Sequence, residues 1–331
     1  MRAPGFWGRP PEAPGALGRL LGPLGAVDAA ATARRVARGA RWRPGVPVIC
    51  LGNLTAGGAG KTPAAILVLE RLAARGIAAH ALSRGHGGTK GDGPHRVDLV
   101  RDRAAEVGDE PLLLAAFAPV WVGRDRAAGA RAAVAAGARA LVLDDGFQNG
   151  ALAHDLAVLV VDAETGFGNG RCIPAGPLRE PVAAGLARAD AVLLSGPAAA
   201  AARTRARWPG LEALPLLEGE VRPREIGIDW RAERVVAFAG IARPEKFFAT
   251  LRGLGAEVVG AHAFPDHAPF APRALRRLQA EAARAGARLV CTEKDAVRLP
   301  ADFRGAAMPL PVSLALRDPE ALERLLDRLF G

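Results

Sequence analysis

The chain has 331 residues, half of them hydrophobic and about a quarter charged, with a net charge of +10. That length accommodates one large α/β domain and a smaller one, and that composition excludes a disordered chain. The basic excess points to an anionic partner: nucleic acid, an anionic membrane surface or a phosphorylated substrate.

Arginine carries almost all of this excess in an Ala- and Gly-rich sequence that has no Tyr, so part of it reflects residue usage rather than function. Lysine is correspondingly informative. It occurs only at positions 61, 90, 246 and 294, and a compact ammonium is not interchangeable with a guanidinium. Cys50, Cys172 and Cys291 are far apart and lack CxxC spacing, which argues against a metal cluster or disulfide framework and fits a reducing cytosol.

Residues 1–43 form a Gly/Pro/Arg-rich lead-in whose apolar members include Phe6, Trp7, Leu17, Leu20, Leu21, Leu24 and Val27. A short amphipathic helix is expected there, followed by a second one carrying Arg34, Arg35, Arg38 and Arg41. Either the helix packs on the domain body or it faces a membrane. No run approaches the roughly 20 uninterrupted apolar residues of a spanning helix.

From Val46 the pattern becomes a series of apolar strands alternating with helices. Strands are expected at Val46–Leu51, Ile77–Leu82, Val120–Val122, Ala140–Leu143, Leu156–Val161 and Ala191–Leu194, with helices over Ala64–Arg75 and Ala127–Ala136. Strands apolar throughout indicate a parallel sheet covered on both faces, hence a doubly wound, mostly parallel α/β fold, which the Gly-rich loop Thr55–Thr62 makes P-loop NTPase-like. The rhythm breaks at Gly219–Ile228 and restarts with strands at Arg234–Ala239, Glu257–Gly260 and Arg288–Cys291. A boundary near residue 225 is expected, dividing a nucleotide-binding core (1–224) from a smaller α/β domain (225–331). Met308–Leu316 reads as a late strand pairing with Gly219–Ile228.

Thr55, Ala56, Gly57, Gly58, Ala59, Gly60, Lys61 and Thr62 follow a buried strand and open a helix. That is the context of a phosphate loop, in which small residues let backbone N–H groups wrap phosphate oxygens at a helix N-terminus. Lys61 would neutralise β/γ-phosphates and the Thr62 hydroxyl would ligate Mg²⁺. The position usually held by the loop's first glycine is Thr55. The strand Ala140–Leu143 ends in Asp144 and Asp145, the arrangement that sets carboxylate beside Mg²⁺; Glu110 joins them as an expected metal ligand.

These residues support a nucleotide hydrolase or kinase without specifying an acceptor. Further stretches add one. They are Pro47–Pro63 (PVICLGNLTAGGAGKTP), Ser83–Gly88 (SRGHGG), Val107–Pro111 (VGDEP), Val122–Arg126 (VGRDR), Asp144–Gln148 (DDGFQ), Pro174–Pro181 (PAGPLREP), Phe264–His267 (FPDH) and Thr292–Asp295 (TEKD). In this order, over nearly the whole chain, the sequence resembles the tetraacyldisaccharide 4'-kinase family of lipid A biosynthesis. The resemblance implies transfer of the ATP γ-phosphate to the 4'-hydroxyl of an acylated glucosamine disaccharide 1-phosphate, with Mg²⁺, at the cytoplasmic face of a bacterial inner membrane.

It also implies a catalytic carboxylate at Asp109 with His267 as its partner from the second domain, and Arg84, Arg124 and Arg126 as phosphate binders. The sequence departs from the family at Asn149, where His is usual, and at His86, where Tyr is usual. Neither nucleic acid nor a protein partner is expected. Two rivals stay open on residues alone. One is a membrane-associated regulatory ATPase without a sugar acceptor. The other is a nucleic-acid-dependent NTPase, favoured by charge but weakened by 5% aromatic content and the lack of a recognisable binding motif.

Overall fold

The computed structural model describes residues 4–39, 41–85, 87–90 and 92–331. Thirteen strands run along the described chain: β1 (Val48–Gly52), β2 (Ala79–Ser83), β3 (His95–Arg96), β4 (Val120–Val122), β5 (Ala140–Asp144), β6 (Leu156–Asp162), β7 (Ala191–Ser195), β8 (Leu216–Pro223), β9 (Arg234–Ala239), β10 (Glu257–Ala263), β11 (Arg288–Thr292), β12 (Met308–Leu310) and β13 (Val312–Leu316). Nine form one sheet in the order β13-β8-β7-β6-β1-β5-β2-β4-β3, and four form a second in the order β10-β9-β11-β12. The large sheet is parallel except at its edges, where β3 and β13 run antiparallel to their neighbours.

β1 lies at the centre of the large sheet, paired with β5 and β6, and all five of its residues are buried. Strand side chains alternate between faces, and here both faces are covered. Ile49 and Leu51 join one apolar cluster, while Val48 and Cys50 join the other. That double burial explains why the strand reads as uniformly apolar.

The helix Lys61–Ala74 packs between this sheet and the C-terminal helix, sharing a cluster with Leu322, Leu325 and Leu326. Arg75 at its end is tied to Glu323 and Asp327. Each fully buried leucine contributes about 1.5–3 kcal/mol, so packing alone holds this helix firmly, and its N-terminus is a fixed platform.

The small sheet is likewise covered twice. Leu275, Leu278 and Ala282 of helix Pro272–Ala285 pack on one face, and Phe247, Phe248 and Leu251 of helix Pro244–Gly253 on the other. The expected division assigned everything after 225 to this unit, but the last strand and helix lie on the large sheet. Met308–Leu310 pairs with β11; the chain then turns at Pro311, and Val312–Leu316 pairs antiparallel with β8. The reason is apolar. Leu314, Leu322, Leu325 and Leu326 belong to the large unit's core.

The lead-in is a 3₁₀ turn (Gly5–Gly8) and two helices, Gly15–Leu20 and Gly22–Ala37. Trp7 Nε1 donates to the Pro174 carbonyl at 3.1 Å, and the helices lay their glycines on segment 169–177. A Cβ added at Gly25 would come within 2.7 Å of the Cys172 carbonyl oxygen, so only glycine permits this approach. The opposite face carries Leu17, Leu20, Leu24 and Val27, exposed at 55–74%.

Candidate active site

The phosphate loop joins β1 to the helix Lys61–Ala74, at the carboxyl edge of the large sheet where open α/β sheets place their ligands. Gly57 and Gly60 have φ of +121° and +87°, a region that glycine adopts without a Cβ penalty. Cβ atoms added at Gly57 or Gly58 would meet nothing within 4 Å. The loop therefore opens onto space.

Asn53, just before the loop, is buried and braces it. Its amide donates to the carbonyls of Thr55 (2.8 Å) and Gly57 (3.2 Å), and its Oδ1 accepts from Lys61 Nζ at 3.3 Å. Thr55, in place of a glycine, forms an antiparallel bridge with Leu178, and the Ala56 N–H donates to the Pro177 carbonyl at 2.7 Å. Thr55 is not among the positive-φ residues, so a side chain is tolerated there.

Beside this loop lie the two acids. Asp144 ends β5 in register with Leu51 of β1. Both its carboxylate oxygens are buried without a hydrogen-bond partner. Burial first, then the Glu110 charge, pushes its pKa up to about 7. Asp145 has φ +59° and accepts from Arg179 at 3.1 Å through both oxygens, with Lys61 Nζ 3.8 Å away. Burial raises this second carboxyl, but Lys61 and Arg179 outweigh it and hold it below the usual range.

An unpartnered carboxylate deep beside a phosphate loop fits a bound cation, because burying a charge without compensation is costly. Asp144, and Thr62 at the helix start, are residues that could hold such a cation. Among the described residues, no group of three or more His, Cys, Asp or Glu lies together as a metal cluster. Glu110 instead faces Lys294, with Oε1 3.6 Å from its Nζ.

The third element crosses between the units. Asp109 opens the helix Asp109–Ala115 and is buried, its Oδ1 accepting the Glu110 N–H at 3.0 Å. His267, from the loop after β10, has φ +59° and brings Nδ1 to 3.0 Å from Asp109 Oδ2. The approach is close but off the hydrogen-bonding direction.

Burial raises the Asp109 carboxyl, yet His267 and Lys294 outweigh it and hold it below its ordinary value. The Asp109 contact in turn raises His267. The His267 turn is anchored from behind by Arg298, which donates to the carbonyls of Ala268 (3.2 Å) and Gly240 (2.8 Å) and pairs with the fully buried Asp295.

The arginines separate. Arg126 is buried, near enough to Asp144 to feel its charge, and burial lowers its pKa to about 10. Its Nη1 donates to Gly123 O at 2.7 Å. That burial leaves little open face for a substrate phosphate, while the Arg126 charge is felt by Asp144 and Asp145. Arg124 is exposed, 3.7 Å from Asp92. Arg84 is exposed at the end of β2, near enough to Arg126 for its charge to lower the Arg126 pKa.

Asn149 spends its side chain on its own turn, accepting from the Ala151 N–H at 2.9 Å; His86 lies outside the described residues. The roles of Asn53, Gln148, Arg179, Glu180 and Lys294 are not assigned by sequence reasoning, although each lies in a quoted motif. Gln148 donates to Asn53 O and to Glu180, both at 2.9 Å, and Arg179 donates to Gln148 at 3.3 Å. A chain of polar side chains thus links DDGFQ, PLRE and the loop.

A phosphate loop on the central strand with an unpartnered acid on its neighbour defines a P-loop NTPase-like protein built to hold a nucleoside triphosphate. A family model described as Tetraacyldisaccharide-1-P 4'-kinase matches residues 17–331. A relative named tetraacyldisaccharide 4'-kinase from Dinoroseobacter shibae is 60% identical over 331 residues, covering 100% of this chain and 98% of its own. One of the same name from Rhodospirillum centenum is 56% identical over 333 residues, covering 100% and 97%. A solved structure described as the "apo" form of LpxK from Aquifex aeolicus in complex with ATP matches with a TM-score of 0.75 at 26% identity, over 95% of this chain and 100% of that one. The chain belongs to the tetraacyldisaccharide-1-P 4'-kinase family.

Proposed function

We propose that this protein transfers the γ-phosphate of ATP to the 4'-hydroxyl of a tetraacylated glucosamine disaccharide 1-phosphate, a step of lipid A biosynthesis. One observation carries the reading. The carboxylate–imidazole pair Asp109–His267 stands beside the phosphate-loop site, so close that the buried Asp144 carboxyl feels both Glu110 and Lys61. Holding a triphosphate needs only the loop; activating an alcohol also needs a positioned proton acceptor.

Asp109 accepts the proton as the sugar O–H bond breaks. The freed oxygen bonds to the γ-phosphorus while the bond to the β–γ bridging oxygen breaks, releasing ADP. Lys61 offsets charge on the β/γ-phosphates. Thr62 and Asp144, with the charges of Asp145 and Glu110 nearby, would hold Mg²⁺, which would supply neutralisation of phosphate charge. Arg84 and Arg124, both exposed, are the arginines left to meet the substrate 1-phosphate, whereas Arg126 is buried. His267 already meets Asp109 across the two units, so nucleotide and lipid bound between the units would find the pair in place, and the packed units would help exclude water.

The exposed Leu17, Leu20, Leu24 and Val27, flanked by Arg19, Arg34, Arg35 and Arg38, support docking on an anionic bilayer surface. No described helix is long and apolar enough to cross a membrane. A peripheral position on the cytoplasmic face of the inner membrane suits both the substrate and this surface. Purified protein with γ-labelled ATP and acylated disaccharide 1-phosphate tests the activity. Label is expected in the lipid; label released only as inorganic phosphate would favour a regulatory ATPase.

A further inference from the structure

Lys294 follows β11 in the short helix Glu293–Ala296, within the small unit. Its Nζ nevertheless reaches 3.9 Å from Asp109 Oδ2 and 3.6 Å from Glu110 Oε1 on the large unit. On its own side it lies 4.0 Å from Asp266 Oδ1 and 3.2 Å from His267 Nε2. An ammonium has three donors and no acceptor. At 3.2 Å it calls for a lone pair on Nε2, which leaves the ring proton on Nδ1, the nitrogen facing Asp109.

We propose that Lys294 is a positioning residue that holds His267 as a neutral imidazole with its proton on Nδ1, the nitrogen that lies 3.0 Å from Asp109 Oδ2. The proposal deepens, and rests on, the reading of Asp109 as the acceptor of the sugar-hydroxyl proton. The partner of one ring nitrogen decides what the other carries, and here that partner is a fixed cation. Without Lys294 two other states open. A proton on Nε2 would turn to Asp266 Oδ1, 3.6 Å away, and aim the Nδ1 lone pair at the Asp109 carboxylate. A doubly protonated ring would pair with Asp109 so strongly that the carboxylate is a poorer base.

The charges around the ring are Asp109 from the large unit, Asp266 and Lys294 from the small one, Glu110 beyond Lys294, and Arg298 behind the turn. Two carboxylates against the ring favour the imidazolium, and the Lys294 charge opposes them. Because Lys294 also reaches Asp109 and Glu110, it acts on the pair only when the units are together.

The full-length protein labelled with ¹⁵N-histidine tests this directly, with His267 assigned by its loss in His267→Ala. At pH 8 the wild type should show a protonated Nδ1 and an unprotonated Nε2. Lys294→Met and Lys294→Ala, which lack the donor, should both show Nε2 protonated, as the other tautomer or as imidazolium.

In turnover, each Lys294 variant should lose about tenfold or more in kcat, the range for residues acting through another, with the KM for ATP nearly unchanged. The acid limb of the pH profile should move to higher pH. In a His267→Ala background the same substitution should cost little, since residues working as a unit are non-additive. A protonated Nε2 in the wild type, an unchanged tautomer in both variants, or a full loss persisting without His267 would overturn the proposal. An active Asp109→Ala enzyme would instead remove the proton-acceptor reading, leaving the tautomer result to stand alone.

Discussion

His267 and Asp109 meet across the two units, Nδ1 to Oδ2 at 3.0 Å, although one belongs to a loop after β10 and the other opens a helix of the large unit. Each side of the contact is strongly held: Asp109 by burial, His267 by the Arg298–Asp295 anchor. A positioned base is worth about 10²–10⁴-fold in rate. Asp109→Ala and His267→Ala should each lower kcat within that range while leaving ATP affinity nearly intact. The double variant should lose much less than the product. Steady-state kinetics with isothermal ATP titration checks this, and multiplicative losses would assign the two residues separate roles.

The same pair predicts a pH dependence of stability. His267 is raised above 6.5, so its contribution is fully present below that value and is lost as pH rises through the folded pKa. Asp109 is lowered from 3.8, so its contribution is present above that value and is lost as pH falls through the folded pKa. The window in which both act is therefore mildly acidic. Thermal unfolding of wild type and His267→Ala should differ more at pH 5.5 than at pH 8.5. Because the ring is nearly half exposed, the gap should be about 1 kcal/mol or less.

Lys61→Ala should abolish transfer with the fold intact, since the ammonium acts on phosphate charge while the helix behind it is held by its own packing. Asn53→Ala should act differently. It removes the brace across the loop and leaves the charge in place, so weaker ATP binding should accompany lower kcat. Circular dichroism melts beside ATP titrations separate the two outcomes. An Asn53→Ala enzyme with wild-type ATP affinity would count against the brace.

Removing the Asp144 charge should stabilise the cation-free protein while removing activity. Both oxygens are buried and unpartnered, so Asp144→Asn relieves a desolvated charge at alkaline pH. Melting at pH 8.5 with chelator should show the variant above wild type. Adding Mg²⁺ and ATP should raise the wild-type midpoint by mass action and move the variant far less.

Replacing Leu17, Leu20, Leu24 and Val27 together with Ser should release the protein from anionic vesicles without disturbing turnover on detergent-dispersed substrate. These side chains are 55–74% exposed, whereas the glycine face of the same helices makes the contacts with the body. Co-sedimentation with phosphatidylglycerol vesicles at two salt concentrations reads it out. Equal pelleting of both forms would refute the role.

Much was legible in the sequence because it depends on local chemistry. The buried strands are apolar on both faces, so β1, β5 and β6 appear as unbroken runs. The phosphate loop is a contiguous arrangement of glycines, Lys61 and Thr62 that can be read without knowing what surrounds it. A late pairing of Met308–Leu316 with Gly219–Ile228 is legible too, and Val312–Leu316 makes it with Gly219–Pro223, whereas Met308–Leu310 pairs with β11 instead.

What the linear order hides is which side chains share an environment. The resemblance makes Arg126 a phosphate binder, and only packing buries it with its guanidinium desolvated near Asp144. Glu110 reads as a metal ligand, but the fold sets Lys294 against it. The departure of Met308–Leu310 to β11 and the meeting of Asp109, His267 and Lys294 are likewise tertiary facts. Burial, desolvation and the charge felt from a distant segment depend on three-dimensional distance, and that exists only once two separate units have packed against each other.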